Sequence, residues 1–250
     1  MKPIIIIPAR YHSSRFEGKP LAMIGTKPMI QHVYERALEA NRNVMVATDD
    51  KRIFDVVKQF GGEVIMTGAY HKSGTERCAE AITKITGQYD IVINLQGDEP
   101  FIDPTQIKTV ISILQQDENA QIATLIKQIT TTQELFDPNI PKVVTDIHGY
   151  ALYFSRQTIP YVRDRKESDW LSLSTFFKHI GIYGYRTNVL KEISTLQTTI
   201  AEKAESLEQL RWLQHGYNIK TAITYSETIS VDTPEDLQKA IEYMENIRNI

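Results

Sequence analysis

An α/β fold built on a mostly parallel, doubly wound sheet is the class that the sequence predicts, and two observations predict it. Apolar runs bounded by turn residues alternate with helical periodicity through the first half of the chain, the pattern of successive βαβ units. The polar residues best equipped for chemistry follow those runs directly, where open α/β sheets bind their ligands. The 250 residues are enough for one large domain. They read as a single domain, 1–250, with a β-rich insertion over about 140–186.

The first strand is Pro3 to Pro8, a buried run of isoleucines. It stops at a polar loop in which Arg10, Arg15 and Lys19 stand with Ser13 and Ser14. A helix near Pro28 to Ala40 follows, then a strand from Asn43 to Thr48 ending at Asp49-Asp50. Lys51 to Phe60 is helical. Gly61-Gly62 breaks it, and Glu63 to Thr67 is a short strand. Ser73 and Glu76 have the spacing of a capping box, so a helix carrying Ala79, Ala81, Ile82 and Ile85 begins there. Asp90 to Leu95 is an almost uninterrupted apolar strand running into Gln96-Gly97-Asp98-Glu99-Pro100. A helix from Pro104 to Gln115 and a strand from Gln121 to Ile126 complete this part.

Beyond that the pattern changes. Lys142 to Thr145 and Tyr150 to Ser155 read as two strands joined through His148-Gly149, a hairpin signal. Arg163 to Ser174, charged and polar except for Trp170, reads as an exposed loop. His179 to Tyr185 is a strand, Leu207 to His215 a helix stopped by Gly216, and Asn218 to Tyr225 a strand. The last helix opens at Val231-Asp232-Thr233-Pro234-Glu235-Asp236, with Thr233 as cap, Pro234 in the first turn and acids at the positive end.

Composition narrows the partners. A net charge of −3 gives no general attraction to nucleic acid, so any anion site must be local. The single cysteine, Cys78, excludes an intrachain disulfide and a cysteine zinc cluster. No stretch approaches the roughly 20 apolar residues of a membrane span. Strand-like residues begin at Pro3 with no basic-then-apolar leader, so a cytoplasmic protein is expected.

Three places carry chemistry. Arg10, Arg15 and Lys19 can offset most of the charge of a nucleoside triphosphate, arginine through planar forks and lysine as a mobile point charge. A solvated basic turn is the other reading of that loop. Asp98, just past a buried strand, is placed to hold Mg²⁺, which takes hard oxygen ligands together with substrate phosphate. It can equally be a turn aspartate capping its own loop. Asp232 is a second such acid, or only part of a helix-capping segment. His71, Ser73, Thr75 and Arg77 surround a helix start whose free amides can read a phosphate or a base edge. Capping alone accounts for Ser73 and Glu76, but not for Gly74 or Arg77.

Taken in order, these segments resemble a known family. Pro8-Ala9-Arg10, Ser14-Arg15, Gly18-Lys19-Pro20-Leu21 and Ala47-Thr48-Asp49-Asp50 are similar to the cytidylyltransferases that activate acidic sugars. Ser73-Gly74-Thr75-Glu76-Arg77, Asn94 to Pro100 and Ala151 to Arg156 narrow the resemblance, as do His179 to Tyr183, Glu205 to Arg211 and Val231 to Asp236. They resemble the 3-deoxy-manno-octulosonate (Kdo) cytidylyltransferases over essentially the whole chain.

The resemblance implies a nucleotide-diphospho-sugar transferase-like, Rossmann-like fold. It also implies a Mg²⁺-dependent cytoplasmic homodimer that turns CTP and Kdo into CMP-Kdo and pyrophosphate for lipopolysaccharide. Arg10, Ser13, Ser14, Arg15, Lys19, His71, Ser73, Arg77 and Gln96 would then bind CTP. Asp98 and Asp232 would hold the metal and, with Arg10, Arg15 and Lys19, form the catalytic set. Arg156, His179, Tyr183, Glu208 and Gln209 would line the sugar pocket, Arg156 facing the carboxylate. Three departures stand out: Glu17 beside the phosphate loop, Glu76 for the more usual aspartate, and the poorly matching 163–174 loop.

Related readings keep the chemistry and change the sugar, to an 8-amino-Kdo or a sialic acid. A nucleotide-sugar glycosyltransferase would usually place an Asp-x-Asp pair where Gly97-Asp98-Glu99 has one aspartate. A non-catalytic nucleotide sensor would have lost a metal acid, and both are present. A dimer would use the 142–155 hairpin and the 179–185 strand, whose edges need covering.

Overall fold

The computed structural model describes residues 1–13, 15–227 and 229–248. In chain order the strands and helices begin with β1 (Pro3–Ala9), β2 (Met23–Ile24), β3 (Lys27–Pro28), α1 (Met29–Ala40), β4 (Val44–Thr48), α2 (Lys51–Gln59), β5 (Val64–Met66) and α3 (Gly74–Lys84). They continue with β6 (Ile91–Asn94), α4 (Pro104–Gln116), β7 (Ile122–Gln128), α5 (Thr132–Phe136), β8 (Lys142–Thr145), β9 (Ala151–Ser155), α6 (Trp170–Leu173) and β10 (Phe177–Arg186). Last come α7 (Thr187–Ile193), α8 (Ile200–Glu205), α9 (Gln209–Gln214), β11 (Ile219–Ile223) and α10 (Pro234–Arg248). The chain groups into two compact units, one of Met1–Ile111 with Ser226–Ile250, the other of Ser112–Tyr225.

In the first unit β1 pairs in parallel with β4 on one side and β6 on the other, and β4 pairs in parallel with β5. Ile4 to Ile7 are almost wholly buried, as a strand covered on both faces must be. Chain order makes the crevice. β4 and β5 are laid down on one side of β1, then the chain returns to place β6 on the other. The loops after β1 and β6 therefore diverge at the carboxyl end of the sheet, the topological switch point where such folds bind ligands. The sequence reading of this parallel framework holds. The β2–β3 pairing, which it did not foresee, is two residues per strand around Gly25.

A satellite core fixes the C-terminal helix. Val231, Ala240 and Met244 pack with Ile24 and Met29, and Phe16 and Phe101 close over them. Thr233 caps α10 as expected: its hydroxyl accepts from the Asp236 N–H at 3.3 Å, and the Asp236 carboxylate accepts from the Thr233 N–H at 3.2 Å.

The second unit is mainly antiparallel. β11 runs parallel to β7, while β7–β10, β10–β8 and β8–β9 are antiparallel. The 142–155 hairpin is present, with Gly149 at φ +79° in its turn. Two expectations change. The 179–185 strand is not an open edge: β10 is an interior strand of the sheet, pairing with β7 along its length and meeting β8 at Phe177 and Lys178. The 163–174 segment is not a plain exposed loop, because it holds a 3₁₀ turn over Glu167–Asp169 and the helix α6. Trp170 there is buried against Phe176, with Ile129 and Leu135 in the same cluster.

The short helices α5, α7 and α8 escaped the sequence reading, since one or two turns carry too little periodicity. Side-chain caps define two of them: Thr131 on α5, and the Thr199–Glu202 capping box on α8.

Candidate active site

The first unit holds a cleft of about 210 Å³ walled by the loops after β1 and β6, the start of α3 and the segment before α10. On one side lie Arg10, Ser13, Arg15 and Lys19, and on another His71, Ser73, Gly74 and Arg77. Gln96, Gly97, Asp98 and Asp232 complete it. Ser14, grouped with these from the sequence, lies outside the described residues.

The loop after β1 owes its shape to a few contacts. Gly18 has φ +70°, a left-handed conformation that costs other residues energy, and its N–H donates to the Tyr11 carbonyl at 2.8 Å. It opens a 3₁₀ turn, Lys19–Leu21, with Pro20 buried. Lys19 is thereby lifted off a rigid turn into the cleft. From α2, the Arg52 guanidinium lies 3.2 Å from the centre of the Tyr11 ring and grips Asp50 with two donors, at 2.9 and 2.7 Å. Arg10 is exposed and has no described ion-pair partner. Glu17 turns away: its side chain is 66% exposed beside His12, so it adds no repulsion inside the cleft.

The two aspartates, far apart in sequence, converge. Lys19 Nζ donates to Asp98 Oδ2 at 2.7 Å and to Asp232 Oδ1 at 3.1 Å, and Arg15 reaches Asp232 at 3.2 Å. Backbone geometry brings this about, since the Val231 N–H donates to the Asp98 carbonyl at 2.9 Å and ties the two segments together. Gly97 lets the loop lie flat on β1, where an added Cβ would stand 3.2 Å from the Pro8 carbonyl oxygen. Two carboxylates already sharing one cation are the hard-oxygen set that Mg²⁺ uses beside a substrate phosphate. Among the described residues no group of three or more His, Cys, Asp or Glu side chains forms an all-protein metal site. The residues fit a metal that shares its shell with a ligand.

The α3 side of the cleft is tightly knit. Ser73 caps the helix, accepting from Glu76 N at 3.2 Å, and Glu76 in turn accepts from Lys72 N at 2.7 Å. Arg77 is 4% exposed, its guanidinium bound to Thr67 Oγ1 at 2.7 Å and Asp49 at 3.1 Å. It shapes the wall by tying the ends of β4 and β5 to α3. Cys78 is buried and offers no nucleophile.

The residues expected to bind a sugar acid all lie in the second unit. His179 and Tyr183 flank a bulge in β10, where two extra residues separate partners that are adjacent on β7. The Thr124 hydroxyl sits in that gap, 3.0 Å from His179 Nε2 and 2.8 Å from the Ile182 carbonyl. Burial pushes His179 down to about 4, so the ring is neutral near pH 7. Burial first, then Tyr185 and Glu208, raise Tyr183 well above the ordinary tyrosine value.

Three buried polar atoms here, Tyr183 Oη, Gln209 Nε2 and Trp212 Nε1, have no protein partner. Unmet buried polar atoms cost about 1–3 kcal/mol each. Gln209, for which helix periodicity alone implies exposure, is buried. Arg156 holds carbonyls rather than an acid: Nε donates to Glu205 O at 2.6 Å and Nη1 to Pro138 O at 3.0 Å. Trp212, which meets Tyr183 edge to face at 5.0 Å, was missed in the sequence, as was Lys72 in the first unit's cleft. For Lys72 the adjacent His71 was the available signal.

Comparison with known proteins bears on this arrangement. Residues 4–227 match the family described as Cytidylyltransferase. A 3-deoxy-manno-octulosonate cytidylyltransferase of Parabacteroides distasonis is 54% identical over 250 residues, 98% of this chain and 99% of that one. Its counterpart in Bacteroides thetaiotaomicron is 53% identical over 249 residues, again 98% and 99%. A solved structure of CMP:2-keto-3-deoxy-manno-octonic acid synthetase complexed with CTP superposes with a TM-score of 0.91 at 45% identity, covering 98% of this chain and 99% of the other. That superposition bears out the fold expected from the resemblance. The chain therefore belongs to the cytidylyltransferase family, among the 3-deoxy-manno-octulosonate cytidylyltransferases.

Proposed function

We propose that this protein transfers CMP from CTP to the anomeric hydroxyl of Kdo, releasing pyrophosphate and supplying CMP-Kdo for lipopolysaccharide. The observation that carries the reading is the meeting of Asp98 and Asp232 on Lys19, beside Arg15, at the sheet's switch point. In the reaction the anomeric oxygen forms a bond to the α-phosphorus, the bond to the bridging oxygen of pyrophosphate breaks, and the hydroxyl proton departs. No covalent enzyme intermediate is needed.

The chain's own groups supply alignment and charge. Arg10, Arg15 and Lys19 hold the triphosphate and take up the charge growing on the leaving pyrophosphate, an interaction that strengthens in the transition state. Ser13 and the amides at the start of α3 around Ser73 orient the nucleotide, with His71, Arg77 and Gln96 at its base end. Asp98 and Asp232 would hold Mg²⁺, which when bound neutralises phosphate charge and acidifies a coordinated hydroxyl. In the second unit, His179, Tyr183, Glu208 and Gln209 fix the sugar hydroxyls. The remaining donors of Arg156 face its carboxylate.

A cytoplasmic location belongs to the proposal and rests on the family resemblance. No helix among the described residues is long and apolar enough to cross a membrane. We place a homodimer contact on the 142–155 hairpin, where Leu152 is 61% and Ile147 95% exposed. Charges at these two positions should give a monomer on sizing, and an unchanged elution volume removes that contact.

Pyrophosphate release with CTP, UTP and ATP against Kdo, 8-amino-Kdo and sialic acid tests the function. Release is expected with CTP and Kdo; none with any acid sinks the proposal, and preference for another acid reassigns the sugar. Asp98→Asn should abolish turnover while the melting curve stays cooperative.

A further inference from the structure

The loop between β5 and α3 has no secondary structure of its own, yet it forms one wall of the nucleotide cleft. Side chains from α3 hold it. Glu80 gathers its middle: Oε2 accepts from the Gly68 N–H at 2.8 Å and from the ring of His71, while Lys84 pairs with Oε1. The exposed Tyr70 ring covers the imidazole at 4.4 Å between centroids. Burial raises the Glu80 carboxyl, but hydrogen bonds from Lys84, Gly68 and His71 outweigh it and hold it down to about 2. It is an anion at any working pH.

A carboxylate can only accept, so the His71 nitrogen facing it, Nε2, must carry a proton. The other nitrogen, Nδ1, is 4.0 Å from Glu76, beyond hydrogen-bond reach. His71 is 7% exposed and lines the cleft. Such a clamp from a second residue, fixing which ring nitrogen is the donor, is otherwise familiar from histidines held in place for ligation.

We propose that Glu80 is a positioning residue for nucleobase choice: it holds His71 in the tautomer whose Nδ1 accepts a hydrogen bond, which suits the 4-amino group of cytosine and opposes the 4-oxo group of uracil. This rests on the nucleotide reading of the cleft given above. It goes beyond that reading by assigning part of the base preference to a helix residue behind the wall.

Binding of CTP and UTP by calorimetry, with magnesium and without sugar, tests it. Wild type should favour CTP, and Glu80→Gln should cut the CTP-to-UTP affinity ratio by about tenfold, the worth of one net hydrogen bond. His71→Ala should cut it equally, and the double variant no further, since one residue acts through the other. Equal losses for both nucleotides, or additive losses in the pair, would assign Glu80 a purely structural role and overturn the proposal.

Ring ¹⁵N spectra of the wild-type protein decide the tautomer without any variant. With six histidines, His71→Ala identifies the signal; a proton on Nε2 alone upholds the proposal, and a proton on Nδ1, whether or not Nε2 also carries one, overturns it. The two readings fail separately. No turnover with Kdo but a CTP preference lost in Glu80→Gln upholds this inference and sinks the substrate. Turnover with CTP and Kdo but equal wild-type affinity for CTP and UTP overturns this inference alone.

Discussion

Replacing Lys19 by methionine keeps the stem on its 3₁₀ turn and deletes the one charge that joins Asp98 to Asp232. The ammonium stands 2.7 Å from one carboxylate and 3.1 Å from the other, and the lysine side chain is 14% exposed. At an effective dielectric of about 20 each pairing is worth ~5–6 kcal/mol of Coulomb attraction before desolvation and side-chain ordering are subtracted. Those costs consume most of it. The acids are 24% and 38% exposed, so water reaches both once the ammonium is gone, and Arg15 still faces Asp232. A net loss of about 1–2 kcal/mol follows, or roughly 2–4 °C in Tm for each kcal/mol.

The kinetic effect should be much larger. Removing one preorganised cation from charge that develops in a transition state typically costs ~10²–10³ in kcat. Thermal melting together with steady-state pyrophosphate release separates the two. Near-normal kcat with the expected drop in Tm would show that Lys19 is only a strut between acids. A normal Tm with lost activity would show that the ion-pair geometry contributes nothing to the fold.

Gly97→Ala puts a Cβ 3.2 Å from the Pro8 carbonyl oxygen, a tight contact with backbone that the loop relieves only by shifting a few tenths of an ångström. It should lower kcat more than Glu17→Gln does, because Asp98 moves with it; equal kinetics for the two variants would refute the close-approach argument. His179 should confer acid sensitivity. The unfolded chain takes up its proton near 6.5, the folded chain only near 4, so wild-type stability falls as pH drops through that window and is unaffected above it. In His179→Gln this component is absent, and the Tm difference between the two proteins should change across the window; a constant difference rejects a buried neutral imidazole.

Much of this molecule was legible in one dimension. Strands buried on both faces leave apolar runs with few or no polar breaks, so Ile4–Ile7 and Asp90–Leu95, interrupted inside only by Asn94, pointed to a parallel sheet before any packing was known. The same runs showed where they stopped, which put Arg10, Arg15, Lys19 and Asp98 at the end of the sheet that binds ligands. Caps are local chemistry too, and Ser73 and Thr233 start their helices as their spacing implied.

What tertiary structure decided is whatever depends on distance across the fold. Asp232 joins Asp98 because a backbone hydrogen bond from Val231 to the loop after β6, and a small apolar cluster that also takes in Phe16 and Ile24 after β1, dock the start of α10 there. No spacing along the chain encodes that. The orphaned donors of Tyr183, Gln209 and Trp212, and the carbonyls that occupy Arg156, likewise depend on which neighbours arrive. Glu80 makes the point most plainly: by sequence it is a polar helix residue of no account, and only the folded loop brings Gly68 and His71 onto its carboxylate. Periodicity and capping are short-range and additive, so sequence carries them; convergence of charges is set by packing, so only the fold can.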